Sequence, residues 1–305
     1  MSLLPELPDI DAVVAAALAE DLGVAPVALF GVTPGLLDSD VTGSLLRPDA
    51  TFTGVVRVRR AGVICGLPVA HRVWEMLAAA SAFEPPECFP LVAEGAVVAA
   101  GDAVLEVAGD ARAVLAGERT ALDFVMVLSG IASRASEWQK AAGPSLTVLD
   151  TRKTLPGLRR LSKYAVAVGG ASNHRMGLLD MVLIKDNHIS AAGGIRNAVA
   201  AARAAHPSLK VEVEADTVEQ AAQAAAAGAD MVLLDNMNDA TLARAVTAVR
   251  ASMPVGQTCL TEASGSVTFE RLGPLARTGV DRVSAGALTF APPLDVGLDE
   301  ERVSP

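Results

Sequence analysis

Residues Val211–Asn236 read VEVEADTVEQAAQAAAAGADMVLLDN, and this stretch decides the fold class. Its first five residues, Val211 to Ala215, alternate as a strand does. Thr217 with Gln220 then makes the capping-box pattern that opens a helix, and Gly228 supplies the stop. A second apolar run, Met231 to Leu234, follows and ends at Asp235-Asn236. Strands alternating with helices imply parallel pairing and right-handed crossovers.

The rhythm extends both ways. Leu146 to Leu149 and Met181 to Ile184 precede this unit, and Thr258 to Leu260 and Val280 to Val283 follow it. Asp239 is the expected cap of the helix after the fourth strand. Six strands beyond residue 145 fall short of the eight of a closed barrel. Periodicity leaves an incomplete barrel and an open doubly wound sheet both standing.

The first ~115 residues read differently. Val55 to Val58, Gly62 to Gly66 and Ala103 to Ala108 look like strands between glycine turns, and His71 to Ala80 like a helix, a mixed α+β pattern. Val24 to Leu37, rich in Pro and Gly, reads as a loop. Glu118 to Ala142 reads as one long helix joining the halves, with Leu122, Val125, Leu128 or Ser129, Ala132, Ala135 and Trp138 near helical spacing.

Composition narrows the function. The chain has 305 residues, 51% hydrophobic and 20% charged, enough for a core and for one large or two ordinary domains. Val13 to Ala19 is far shorter than the roughly 20 apolar residues of a span, and no basic region precedes an apolar stretch at the N-terminus, so no secretory signal is expected. Three widely spaced cysteines, Cys65, Cys88 and Cys259, argue against a disulfide framework and form no metal-ligand pattern. The expectation is a cytoplasmic enzyme. A net charge of −10 disfavours nucleic acid and anionic membrane as partners. Between Glu118 and His188, however, ten Lys or Arg face six Asp or Glu, a local balance of +4. That suits an anionic small molecule, though ordinary helix-surface charge accounts for it equally well.

The strand ends carry polar chemistry. Leu149 is followed by Asp150-Thr151-Arg152-Lys153-Thr154, and Ile184 by Lys185-Asp186-Asn187-His188. The third strand holds Glu212 and Glu214, the fourth ends at Asp235-Asn236, the fifth leads into Glu262-Ala263-Ser264-Gly265-Ser266, and the sixth into Ser284-Ala285-Gly286. Parallel α/β folds bind ligands at the carboxyl ends of strands, which gathers Arg152, Lys153, Lys185, Glu214, Asp235 and Ser264 at one mouth. Arg and Lys suit carboxylate and phosphate. Acidic residues among them make sense with a divalent cation such as magnesium, and the Ser-Gly turns can offer backbone N–H groups to a phosphate. Each feature has a plainer reading: surface charge for Arg152-Lys153, a helix cap for Asp235, a satisfied structural histidine for His174, a solvent-facing position for Glu212 or Glu214.

Together these residues resemble the quinolinate phosphoribosyltransferase family. The matching motifs are Glu118-Arg119-Thr120-Ala121-Leu122, Ser129-Gly130-Ile131-Ala132, Asp150 to Thr154 with Pro156-Gly157 and Lys163-Tyr164, Gly169-Gly170, Asn173-His174-Arg175, Leu183 to His188, Val211 to Glu214, Leu234 to Met237, and Glu262 to Gly265. The resemblance runs from about Ala17 to the end. It implies an N-terminal α/β sandwich (1–117), an incomplete α/β barrel carrying the active site (118–288), and a tail (289–305) packing back on the first domain. It also implies a homodimer, or a hexamer, with shared active sites. The implied reaction joins quinolinate to phosphoribosyl pyrophosphate with Mg2+, releasing pyrophosphate and carbon dioxide and giving nicotinate mononucleotide. By motif, Arg152, His174, Arg175 and Lys185 would hold quinolinate, with Arg119 arriving from the partner subunit. Lys153 would face phosphoribosyl pyrophosphate, and Glu214 and Asp235 the ribose and the metal shell. Ser264, Gly265, Ser266, Ser284, Gly286 and Ala287 would cradle the phosphate.

Three departures stand out. Ser266 takes the place of a second glycine, Phe290 stands where many members have histidine, and the Val24–Leu37 segment before Asp40-Val41-Thr42 is longer than usual. Rival readings are a molybdate-transport paralogue of the same fold and a nicotinate phosphoribosyltransferase that does not decarboxylate. Ala93 to Asp110 is similar to a lipoyl-type carrier hairpin, but it has no lysine to carry the group.

Overall fold

The structure, a computed structural model, describes residues 4–301. Its strands are β1 (Thr51–Val58), β2 (Gly62–Val63), β3 (Glu87–Pro90), β4 (Val97–Val98), β5 (Ala103–Asp110), β6 (Thr147–Leu149), β7 (Val182–Ile184), β8 (Val211–Ala215), β9 (Met231–Asp235), β10 (Leu260–Ser264), β11 (Arg282–Ser284) and β12 (Val296–Glu300). The helices are α1 (Asp11–Leu22), α2 (Leu67–Ser81), α3 (Ala111–Ala142), α4 (Arg159–Val168), α5 (Asp186–Ala192), α6 (Ile195–Ala205), α7 (Val218–Ala226), α8 (Asp239–Ser252) and α9 (Leu272–Arg277). Among the described residues no helix is long and apolar enough to cross a membrane.

The chain forms two compact units. Among the described residues the first comprises 4–134, 155–169 and 291–301, and the second 135–154 and 170–290. The expected border at 117/118 therefore falls inside α3, and the segment holding α4 belongs to the first unit. The helix also starts seven residues earlier than expected, at Ala111. Asp110 explains this: its Oδ1 accepts the N–H groups of Arg112 (2.9 Å) and Ala113 (3.2 Å), so the helix opens directly where β5 ends.

In the first unit an antiparallel sheet runs in the order β12-β1-β5-β3. β12 pairs with β1 from Gly54↔Glu300 to Val58↔Val296, and the sequence reading had no strand at β12, β3 or β4. The Val24–Leu37 segment is more ordered than a loop: it contains a 3-10 helix at Pro26–Phe30 and enters a second at Leu36–Ser39, with Leu29, Leu36 and Leu37 buried. The expected α3 face, Leu122, Val125, Leu128, Ser129, Ala132, Ala135 and Trp138, is buried along its whole length.

The Ser129-Gly130 motif has a mechanical reason. Ser129 Oγ accepts the Cys65 N–H at 2.8 Å and donates to the Cys65 carbonyl at 3.0 Å, and one turn later Ser133 Oγ accepts the Val63 N–H at 2.8 Å. A helix thus satisfies backbone that no strand partner reaches. A Cβ on Gly130 would meet the Pro292 carbonyl oxygen at 2.3 Å, so only glycine lets this backbone approach.

The second unit holds six parallel strands in the order β6-β11-β10-β9-β8-β7. Consecutive strands lie side by side around the sheet, as in a barrel, and among the described residues β6 and β7 do not pair with each other, so the barrel is incomplete. β10 corrects the sequence reading: it spans Leu260–Ser264 rather than Thr258 to Leu260, and runs in register with β9 from Leu260↔Met231 to Ser264↔Asp235. Glu262 and Ser264 are therefore strand residues, not loop residues. The charge at Glu262 disguised a strand position whose side chain turns inside. The α7 capping box forms as expected, with Thr217 accepting from the Gln220 N–H at 3.1 Å. The α8 cap is Asn238, not Asp239: Asn238 Oδ1 accepts from Thr241 at 2.9 Å, while Asp239 is the first helical residue.

Ser129→Ala is expected to lower stability by about 1–3 kcal/mol, the cost of leaving the buried Cys65 amide groups unpaired. Urea denaturation with an unchanged slope would check it, and an unshifted midpoint would refute the latch.

Candidate functional site

Parallel pairing brings the polar strand ends to one edge of the second unit. β6 hands over to Asp150-Thr151-Arg152-Lys153, β7 to Lys185, β8 carries Glu214, β9 ends at Asp235, β10 at Ser264 and β11 at Ser284.

On one side sit the cations. Arg152 and Arg175 are both half-buried, and Arg152 Nε is buried with no hydrogen-bond partner among the described residues. Burial first, and then the charge of Arg152, push Arg175 below its ordinary value, with Glu212 and Asp180 opposing. Two guanidinium groups that repel each other favour an anion between them. Lys185 caps α5, its N–H donating to His188 Nδ1 at 3.0 Å, while its Nζ is paired with Glu214 Oε2. Two residues expected on opposite substrates thus neutralise each other.

On the other side the turns interlock. Asp235 Oδ2 accepts from Asn236 Nδ2 at 2.6 Å, and the Asn236 N–H donates to the Ser264 carbonyl at 2.9 Å. Asn236 (φ 53°) and Ser266 (φ 46°) adopt left-handed backbone. Gly265 has φ +90°, and a Cβ there would stand 2.2 Å from Asn236 Oδ1. A second glycine in place of Ser266 would therefore suit its conformation. Lys153 is held by its backbone: its N–H donates to Thr151 Oγ1 at 3.0 Å, and its carbonyl accepts from Thr289 Oγ1 at 2.5 Å. Its side chain lies along Gly286, where a Cβ would come within 3.2 Å of Lys153 Cδ. Ser284 and Ala285 are buried, while Gly286 is half-buried and Ala287 exposed. Phe290 is exposed.

Glu214 and Asp235 offer only oxygen donors, from the ends of adjacent strands, the donor set a magnesium ion takes together with water and substrate phosphates. Neither is fully buried, so water can complete such a shell.

His174 is more tightly engaged than its motif suggests. Its Nε2 lies 3.1 Å from Glu212 Oε2 and 3.4 Å from Glu262 Oε1, and its Nδ1 accepts the Arg175 N–H at 2.7 Å. Burial works against a charged ring, but the contacts with Glu212 and Glu262 outweigh it, so the cluster as a whole holds a proton beyond the ordinary histidine range. Burial and Glu262 likewise raise Glu212. A second ring proton would sit on Nδ1 and collide with the Arg175 N–H. The geometry therefore keeps the ring proton on Nε2 and leaves the retained proton of the cluster to Glu212. To bind a substrate carboxylate directly, His174 would have to surrender one of these contacts. The alternation Val-Glu-Val-Glu carried the signal for Glu212: with a period of 2, Glu212 and Glu214 must share a face. Asp150, Asn236 and Thr289 carried no such signal.

Arg119 belongs to the first unit. It pairs with Asp123 at 3.4 Å, both side chains largely exposed, and lines a cavity of about 600 Å3 with Val13, Ala17 and Glu20 of α1, Phe124 of α3 and Leu161 of α4. Among the described residues it is the one expected site residue that lines that cavity.

Residues 40–129 match the description "Quinolinate phosphoribosyl transferase, N-terminal domain", and residues 131–299 match the C-terminal domain of the same family. The chain belongs to the quinolinate phosphoribosyltransferase family. A "Nicotinate-nucleotide pyrophosphorylase [carboxylating]" of Mycobacterium leprae is 41% identical over 85% of this chain and 90% of its own length. The protein of that name from Homo sapiens is 38% identical over 90% of this chain and 92% of its own. The solved nicotinate-nucleotide pyrophosphorylase from Francisella tularensis superposes with a TM-score of 0.84 at 32% identity, covering 99% of this chain and 100% of that one. NadC from Streptococcus pyogenes does so at 0.82 and 34%, covering 96% and 97%. These likenesses make the chain an enzyme of the phosphoribosyltransferase class and its two-part α/β architecture that of the family.

The left-handed turn yields a test. Gly265→Ala is expected to cost about 1–3 kcal/mol through backbone strain, before any cost of displacing Asn236. Ser266→Gly is expected to be neutral or to stabilise by up to about 1 kcal/mol. Urea midpoints of the two variants should move in those opposed senses.

Proposed function

We propose that the protein transfers the phosphoribosyl group of phosphoribosyl pyrophosphate to quinolinate with loss of carbon dioxide, yielding nicotinate mononucleotide for NAD synthesis. What carries this reading is the likeness, across nearly the whole chain, to relatives named as carboxylating nicotinate-nucleotide pyrophosphorylases. The crowded pair Arg152 and Arg175, with Lys185 on the next strand end, suits an acid with two carboxylates better than one with one.

The chemistry asks more for positioning than for covalent work by side chains. Arg152, Arg175 and Lys185, with His174 beside them, orient the acid so that its ring nitrogen faces the anomeric carbon. That nitrogen forms the new C–N bond as the C–O bond to pyrophosphate breaks, and pyrophosphate departs with the electron pair. Lys153 neutralises charge on the leaving group. Glu214 and Asp235 hold the ribose hydroxyls and would hold Mg2+, which when bound supplies further charge neutralisation at the pyrophosphate. With the nitrogen now cationic, the adjacent carboxylate leaves as carbon dioxide. The electron pair stays on the ring carbon as an ylide and is quenched by a proton. The Lys185–Glu214 pair must open for both substrates to bind. Ser264, Gly265, Ser266, Ser284, Gly286 and Ala287 cradle the 5′-phosphate through backbone N–H groups.

We assign the working form as a homodimer, or a hexamer, in which Arg119 serves the partner's site. Its weak exposed pairing with Asp123 leaves it available for this. We place the enzyme in the cytoplasm, where its three free cysteines would stay reduced.

Incubation with Mg2+, phosphoribosyl pyrophosphate and either quinolinate or nicotinate should release mononucleotide at least about tenfold faster from quinolinate, because the second carboxylate gains charged hydrogen bonds. Carbon dioxide should appear in equal amount. Equal turnover of the two acids would overturn the reading.

Arg119→Ala and Lys185→Ala should each be folded and nearly inactive. Mixing them with subunit exchange should restore about a quarter of wild-type activity, since one pocket per heterodimer is then intact. Verified heterodimers that stay inactive, or a fully active Arg119→Ala, would remove Arg119 from the shared site.

A further inference from the structure

Glu212 and Glu262 are an unusual pair for a protein interior. They lie on β8 and β10, either side of β9, and face Met231 and Leu233 in register. Both are buried, at 0% and 1% exposure, and among the described residues none of their four carboxylate oxygens has a well-aligned hydrogen-bond donor. Burying carboxylates in this way is strongly unfavourable unless something is gained.

The His174 imidazole stands between them, with Nε2 at 3.1 Å and 3.4 Å. Its other nitrogen accepts the Arg175 N–H. The backbone around it is tied as well: the His174 N–H donates to Asp150 Oδ1 at 2.9 Å, the Asp150 N–H to the Ser172 carbonyl at 3.1 Å, and the Ser172 N–H to the Val148 carbonyl at 2.9 Å. One ring therefore links two buried carboxylates to the peptide of Arg175. The same segment is laced to the end of β6, two residues before Arg152.

We propose that Glu212 and Glu262 are positioning residues that clamp the His174 ring and, through its Nδ1, fix the Arg175 peptide so that its guanidinium stands where a dicarboxylic acid binds. The clamp rests on the quinolinate reading above only for the identity of the acid. A divalent metal is the competing occupant, because the three side chains bring ligand atoms within 4.8 Å of one another. The ring disfavours it. A metal on Nε2 would leave the proton on Nδ1, pointing at the Arg175 N–H only 2.7 Å away.

The test uses the full chain with Glu212→Gln and Glu262→Gln, which keep side-chain volume and remove charge, and the double variant. With Mg2+ present, each is expected to raise KM for quinolinate about tenfold, the loss of roughly one charged contact. KM for phosphoribosyl pyrophosphate should stay within about twofold. Because both act through one ring, the double variant should be little worse than the worse single one. Folded variants with unchanged quinolinate KM, or with both KM values raised alike, overturn the clamp. If the variants do not fold, wild-type protein decides by nitrogen NMR of its four histidines. His71, His188 and His206 are exposed and can be assigned by single substitution. His174 is expected to carry its proton on Nε2 with a bare Nδ1. A proton on Nδ1, with one equivalent of metal in the purified protein, overturns the proposal. A wild-type enzyme inactive on quinolinate sinks the functional reading instead and leaves the NMR result to judge the clamp.

Discussion

Parallel pairing in the second unit is the constraint from which the site follows. A strand that must run in the same direction as its neighbour has to return through a crossover. All six carboxyl ends then open on one edge, and whatever follows each strand is delivered there. Arg152 with Lys153, then Lys185, Glu214, Asp235 and Ser264, come from five segments separated in sequence. Their convergence costs no dedicated loop.

The edge carries charges of both signs close together. Arg152 and Arg175 repel each other, and Lys185 and Glu214 pair with each other. Beneath it, the buried Glu212–His174–Glu262 cluster supplies stiffness. Glycine and left-handed turns at Gly265, Asn236 and Ser266 bring backbone close where side chains would obstruct.

The first unit solves a different problem. Short strands such as β2 leave backbone groups without partners, and α3 answers with serine hydroxyls instead of strands. This explains the Ser129-Gly130 motif on mechanical grounds: the serine bonds to backbone and the glycine lets Pro292 approach.

The sequence by itself determined the alternation of strands and helices, the count of six parallel strands, the α7 capping box and the charged residues that follow the strands. Those are local facts, written in periodicity and in residue type at strand ends. It misplaced β10, because Glu262 looked like a loop residue until a neighbouring histidine made its burial tolerable. It began α3 seven residues late, because only the turn of the chain lets Asp110 cap the helix. It had no strand at β12, whose pairing with β1 joins residues more than two hundred positions apart. Which charges neutralise one another, and that both nitrogens of His174 face protein groups, were decided by tertiary structure alone. Those outcomes depend on distances of a few ångströms between segments, and no local pattern encodes them.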